Sequence, residues 1–118
     1  MALTIYHNPR CSKSRQTLGI IQDAGIEPDI VLYLQDTPSA EDILAIANKL
    51  GVKVAALLRR GESTFKEASD LPDLDDDNAL AAWVATNPIV LERPLVVDSD
   101  SGKAVVGRPP ENVQALLP

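Results

Sequence analysis

Apolar Leu3 and Ile5 alternate with Thr4 and Tyr6 at the start of the chain, and this period of two predicts a short β-strand that Asn8-Pro9 ends. Beyond it the period becomes helical: Thr17, Leu18, Ile21 and Ala24 recur on one face up to Gly25, which is placed as a C′ glycine. Ile30-Val31-Leu32-Tyr33 is too short for a helix and rich in β-branched residues, so it reads as a second strand. The chain therefore opens strand–helix–strand.

Ser39 and the acidic pair Glu41-Asp42 then precede Ile43, Ile46, Ala47 and Leu50 at helical spacing, and Gly51 follows; together they predict a second helix. Val54 to Leu58 reads as a short helical turn ending in Arg59-Arg60-Gly61, and part of the acidic stretch from Glu62 to Asp77 reads as loop. Asp75-Asp76-Asp77 supplies a cap and first-turn negative charge for a helix carrying Leu80, Trp83 and Val84, which Asn87-Pro88 stops. Ile89-Val90-Leu91, Leu95-Val96-Val97 and Ala104-Val105-Val106 read as short strands, the last two joined into a hairpin through Ser99-Asp100-Ser101-Gly102. Pro109-Pro110-Glu111 opens a final helix with Val113, Leu116 and Leu117 on its apolar side.

A length of 118 residues with 45% hydrophobic content suits a single domain over 1–118, with about 36–87 as a mainly helical insertion. No apolar stretch is long enough to span a membrane and no signal peptide is indicated, so a cytoplasmic location is expected, with no membrane partner. The net charge of −6 and the scarcity of aromatic residues argue against nucleic-acid binding. Cys11 is the single cysteine, so an intrachain disulfide is impossible and any disulfide chemistry takes its second sulfur from another molecule.

Cys11 falls in the first turn of the first predicted helix, where unpaired N–H groups and the positive end of the helix dipole favour a thiolate. Arg10, Lys13 and Arg15 add positive charge nearby. A free thiol is only a few per cent ionised at neutral pH, so this lowering matters for a nucleophile. The bland alternative is a small buried hydrophobe. In place of the redox pattern C-x-x-C the chain has Cys11-Ser12-Lys13-Ser14, and serine cannot resolve a mixed disulfide.

The segments His7-Asn8-Pro9-Arg10-Cys11-Ser12-Lys13-Ser14-Arg15, Leu57-Leu58-Arg59, Arg93-Pro94-Leu95-Val96-Val97 and Gly107-Arg108-Pro109-Pro110-Glu111 follow in order along the chain. In them the chain resembles, over nearly its whole length, the glutaredoxin-coupled arsenate reductase family, a branch of the thioredoxin superfamily shared with Spx-type regulators. Ser12-Lys13-Ser14 after the cysteine, and an end soon after Glu111, bring it closer to the chromosomal branch. The resemblance implies an α/β fold: a thioredoxin-like domain with a helical insertion between the strand–helix–strand unit and the C-terminal hairpin and helix. It implies Cys11 as nucleophile, Arg59, Arg93 and Arg108 as oxyanion ligands, and His7 as a residue that tunes the thiolate, with Asn8 and Ser14 assisting through hydrogen bonds. It also implies a cis Arg93–Pro94 bond facing the cysteine.

The arginines also answer a physical need. A thiolate approaching a dianion at about 4 Å meets roughly 8 kcal/mol of repulsion at an effective dielectric near 20, and a helix terminus offsets only about a quarter of that. Arginine stays protonated and its fork of donors matches a tetrahedral oxyanion. Taken singly, each has an ordinary reading: Arg59 at a helix end, Arg93 at the start of an edge strand before proline, Arg108 in a loop. Likewise, the lone His7 reads as a packed loop histidine, and no metal site is expected.

The expected reaction is reduction of arsenate, or a similar oxyanion, to arsenite in arsenic detoxification. Glutathione is the co-substrate, glutaredoxin the reductant of the resulting mixed disulfide, and no cofactor is bound. Phosphate is a competing ligand of similar shape. Two other readings use the same scaffold: an Spx-like regulator that binds a protein partner, and a glutathione-dependent thiol oxidoreductase indifferent to the three arginines. A monomer is expected.

Overall fold

Leu3–His7 forms strand β1, in which Leu3, Ile5 and His7 are buried and Thr4 and Tyr6 half-buried, the alternation that a period of two demands. The computed structural model describes residues 2–118. Contacts within it divide into two units, the chain up to Asp36 with Arg93–Pro118, and Thr37–Glu92.

In the first unit, helix α1 (Ser12–Asp23) links β1 to β2 (Asp29–Leu32), and a hairpin of β3 (Leu95–Asp98) and β4 (Lys103–Val106) follows. The sheet order is β2-β1-β3-β4, with β1 parallel to β2 and antiparallel to β3. Ile5 stands opposite Ile30 on one side and Val96 on the other. The buried face of α1, made by Ser14, Thr17 and Ile21, repeats at helical spacing. It is polar near the N-terminus and apolar beyond. Ile21 joins Leu3, Ile5, Val96, Val113 and Leu116 in the core. The hairpin turn is closed by Asp98, whose carboxylate accepts the Asp100 N–H at 3.1 Å and the Ser101 hydroxyl at 3.0 Å.

The second unit holds α2 (Ala40–Leu50), α3 (Ser63–Lys66) and α4 (Asp77–Thr86), and α2 packs against α4. Ser39 and Asp42 form a reciprocal capping box, and Gly51 ends α2 with φ +70, a left-handed conformation that glycine adopts without strain. Within the acidic run Asp75-Asp76-Asp77, it is Asp76 that caps α4 by accepting the Ala79 N–H. Trp83 of α4 meets the Phe65 ring edge-on at 6.5 Å and donates its indole N–H to Asp70 at 3.1 Å. Among the described residues no helix is long and apolar enough to cross a membrane.

Two expected elements take other forms. Ile89-Val90-Leu91 is not a strand: Pro88–Val90 is a 3₁₀ turn, and only Leu91 makes an isolated bridge, to Leu58. Pro88 enters at the first helical position, where its fixed φ and missing N–H favour a turn over an extended run. The closing helix is 3₁₀ throughout, over Pro110–Leu116, yet it buries Val113 and Leu116 as expected.

Gly107 ties the end of β4 to the rest of the first unit. Its N–H bonds the Pro94 carbonyl at 2.9 Å, and its own carbonyl accepts from the Thr17 hydroxyl at 3.4 Å. A Cβ placed there would lie 2.5 Å from Thr17 Oγ1 and 2.7 Å from Pro94 Cγ. Gly107→Ala is therefore expected to lower stability by about 1–3 kcal/mol, as overpacking does, in a denaturant titration; an unchanged midpoint would show that the contact yields freely.

Candidate active site

The turn that leads from β1 into α1 places the cysteine. The Asn8 carbonyl accepts the Cys11 N–H at 3.0 Å, and the Cys11 carbonyl accepts the Arg15 N–H at 3.0 Å, opening the helix. The Asn8 side chain bonds the Arg10 N–H at 3.0 Å. Cys11 is thus the N-cap, one step before the first turn, with extended backbone at φ −93 and ψ 120. Its sulfur closes no full capping hydrogen bond, but it faces the N–H groups at the helix start.

Charge on that sulfur is set by opposing effects. Burial pushes the thiol pKa up; against this, the N–H groups of Ser14 and Lys13 and the side chains of Arg93 and Arg108 pull it down. The balance falls below the ordinary thiol value. Arg108 Nη1 lies 3.7 Å from Cys11 Sγ and donates to the Arg93 carbonyl at 3.1 Å. The Arg108 carbonyl in turn accepts from Asn112 at 3.2 Å. Arg93 is half-buried and its guanidinium faces both Cys11 and Tyr33.

Beneath the sulfur, His7 points from the inward face of β1 to the buried face of α1, where its Nδ1 meets Ser14 Oγ at 2.6 Å. The same oxygen accepts the Asn8 N–H at 3.1 Å. Burial, and then the nearby charge of Arg15, lower the His7 pKa, so the ring is neutral at pH 7. It cannot stabilise the thiolate by its own charge. It holds Ser14, whose N–H faces the sulfur. Of the other cations near the motif, Arg15 bonds the Pro9 carbonyl at 2.8 Å, and Arg10 and Lys13 are exposed.

The Arg93–Pro94 peptide bond is cis, as expected, and so is Arg108–Pro109, which sequence reasoning did not anticipate. The first unit therefore brings together Cys11, Arg93, Arg108, Asn8 and Ser14, with His7 behind them. Arg59 belongs to the second unit, where its Nε pairs with Glu62 at 3.3 Å and its N–H bonds the Val90 carbonyl at 2.6 Å. Tyr33, completely buried beside Arg93, escaped sequence reasoning; it was legible only as the end of an apolar run. Among the described residues, no cluster of three or more His, Cys, Asp or Glu side chains is placed to hold a metal ion. An open cleft of about 230 Å³ borders the Asn8–Arg10 loop, with Leu32, Leu34 and Gln35 on its far wall.

Residues 6–116 match the model of a protein family described as the ArsC family. An arsenate reductase of Neisseria meningitidis is 44% identical over 117 residues, 98% of this chain and 97% of that protein. One from Haemophilus influenzae is 40% identical over 118 residues, covering 99% and 100%. The solved structure of an arsenate reductase from Vibrio cholerae superposes with a TM-score of 0.87 at 42% identity, over 99% of this chain and 98% of that one. The α/β fold is accordingly thioredoxin-like.

Two measurements follow. Arg93→Ala and Arg108→Ala should each move the pH midpoint of Cys11 alkylation upward and slow alkylation at neutral pH several-fold; an unmoved midpoint in both would remove the guanidinium groups from the thiolate's support. For His7, the folded pKa lies below the unfolded value of about 6.5, so the stability it contributes is complete above that pH and is lost as pH falls toward the folded pKa. His7→Gln should flatten that acid-side decline in chemical denaturation, and an equal slope in both proteins would contradict it.

Proposed function

Because this chain belongs to the ArsC family, we propose that it is an arsenate reductase that works through a Cys11 thiolate with glutathione and glutaredoxin as its reducing partners. The observation that carries the reading is the pairing of Cys11 Sγ with Arg108 Nη1 at 3.7 Å, in a chain 44% identical to a named arsenate reductase. In this reading the thiolate attacks the arsenic of arsenate and an oxygen leaves as water after protonation, giving an arsenate–thiol adduct. Arg93 and Arg108 offset the repulsion between thiolate and dianion and hold the oxygens as charge redistributes. The glutathione thiol then adds across the arsenic–oxygen double bond, its proton passing to that oxygen, and both sulfur–arsenic bonds break as the two sulfurs couple into a mixed disulfide. The two electrons released in that coupling remain on arsenic, which departs as arsenite. Glutaredoxin reduces the Cys11–glutathione disulfide.

Use of an external thiol is supported by the cysteine count of one, since no internal partner can resolve the adduct. The cleft beside the Asn8–Arg10 loop offers glutathione a wall with a cation, Arg10, for a carboxylate and an amide, Gln35, for a peptide group. Arg59 is assigned to oxyanion binding through the family resemblance; its ion pair with Glu62 means that an anion must displace a carboxylate from it.

The test is NADPH consumption in a coupled assay with arsenate, glutathione, glutaredoxin and glutathione reductase. Wild type is expected to turn over, Cys11→Ser to be inactive, and Arg93→Ala to fall by roughly tenfold or more. Activity in Cys11→Ser would eliminate the nucleophile, and full activity in Arg93→Ala would eliminate the anion site.

A further inference from the structure

Arg108 sits in the turn between the end of β4 and the final 3₁₀ helix, Pro110–Leu116, and hydrogen bonds fix that turn from both sides. On the strand side the Gly107 N–H bonds the Pro94 carbonyl at 2.9 Å. On the helix side the Asn112 side-chain nitrogen donates to the Val106 carbonyl and to the Arg108 carbonyl, each at 3.2 Å. Both partners are backbone carbonyls, which only accept, so the amide must turn its NH₂ toward them, one hydrogen to each. Asn112 is itself held in place: its backbone N–H bonds the Pro109 carbonyl at 3.0 Å, and its neighbour Val113 is buried in the core with Ile5 and Val96. At the other end of the arginine, Nη1 lies 3.7 Å from Cys11 Sγ and donates to the Arg93 carbonyl at 3.1 Å.

We propose that Asn112 is a positioning residue for Arg108: by tying the Val106 and Arg108 carbonyls to the first turn of the final helix, it sets the root from which the Arg108 guanidinium reaches Cys11 Sγ and the anion held beside it. An arginine stem has several rotatable bonds, so a small tilt of its backbone becomes a larger displacement at the guanidinium, and a side chain free to sample rotamers must be ordered again as substrate arrives. The bond to the Arg93 carbonyl steadies the tip of Arg108 and Asn112 steadies its root. A carboxylate at position 112 could not do this, because it has no hydrogen for the two carbonyls and would place negative charge beside the arginine. The amide orients Arg108 and leaves its charge to the sulfur and the oxyanion. The groups that act on the sulfur are the Ser14 and Lys13 N–H groups and the Arg93 and Arg108 side chains, and Asn112 acts through the last of these. The part of this inference that concerns turnover rests on the arsenate-reductase reading; the part that concerns the thiol does not.

Asn112→Ala removes both bonds at an exposed position. The pH profile of Cys11 alkylation by iodoacetamide, with no arsenate present, is compared in wild type, Asn112→Ala, Arg108→Ala and the double variant, with thermal unfolding measured on each. Asn112→Ala is expected to move the alkylation midpoint upward by less than Arg108→Ala does, and to add nothing in the Arg108→Ala background. In the coupled assay it should lose several-fold in kcat/KM for arsenate, in the direction of a misplaced binding group. An unmoved midpoint, whatever happens to the unfolding temperature, would reduce Asn112 to a purely structural role and overturn the proposal. An equal shift in the Arg108→Ala background would overturn it as well, since the effect would not then pass through Arg108. A shifted, non-additive profile in a protein that does not reduce arsenate would keep Asn112 as the positioning residue and refute only the substrate. Asn112→Leu, close to asparagine in size and without a donor, is run beside the alanine variant and is expected to give the same result; should one of the two not fold, the other decides.

Discussion

A sulfur drawn partly out of water stays ionised only if fixed dipoles and charges replace the water it has lost, and the first unit of this chain is arranged around that requirement. Burial acts on Cys11 against ionisation, and four donors act for it: two helix N–H groups and two guanidinium groups. The N–H groups come with the chain direction, because the helix that follows the turn after β1 has first amides with no partner inside the helix. The guanidinium groups come from the opposite end of the sequence, through the loops flanking β3 and β4. Neither source alone matches the charge of a thiolate beside a dianion.

Holding residues 11, 93 and 108 together is a packing problem, solved at the Thr17–Gly107–Pro94 contact. Thr17 bonds the Lys13 carbonyl at 2.8 Å within α1 and reaches Gly107 at 3.4 Å, while the Gly107 N–H bonds Pro94 at 2.9 Å. The helix that carries the sulfur, the loop that carries Arg93 and the strand end that carries Arg108 thus meet at one residue without a side chain. Arg108 is then drawn toward Arg93 by its bond to the Arg93 carbonyl. Underneath, neutral His7 and Ser14 set the first turn of α1 without adding charge.

Much of this was legible in sequence. The strand-to-helix turn, the Ser39–Asp42 capping box, the Asp76 cap and the 95–106 hairpin each have local signals, and the structure shows all of them. Cys11 was legible because the breaker before it and the periodicity after it fix its place. What escaped depends on contacts distant in sequence or on geometry that apolar content does not encode. Ile89-Val90-Leu91 has strand composition, but Pro88 commits it to a turn. Tyr33 looks like another apolar strand residue until Arg93, sixty positions away in the chain, is seen facing it. The Arg59–Glu62 pair is a local i,i+3 contact that was available to sequence reasoning and was passed over.

The claim on which the account turns is that these donors outweigh burial and hold the Cys11 thiol below its ordinary pKa. Titrating the thiolate absorbance of the wild-type protein in the ultraviolet, with Cys11→Ser as the blank, measures it directly. The account predicts a midpoint below that of a free cysteine thiol, about 8.5. A midpoint at or above that value would mean that burial outweighs the donors, and would contradict it.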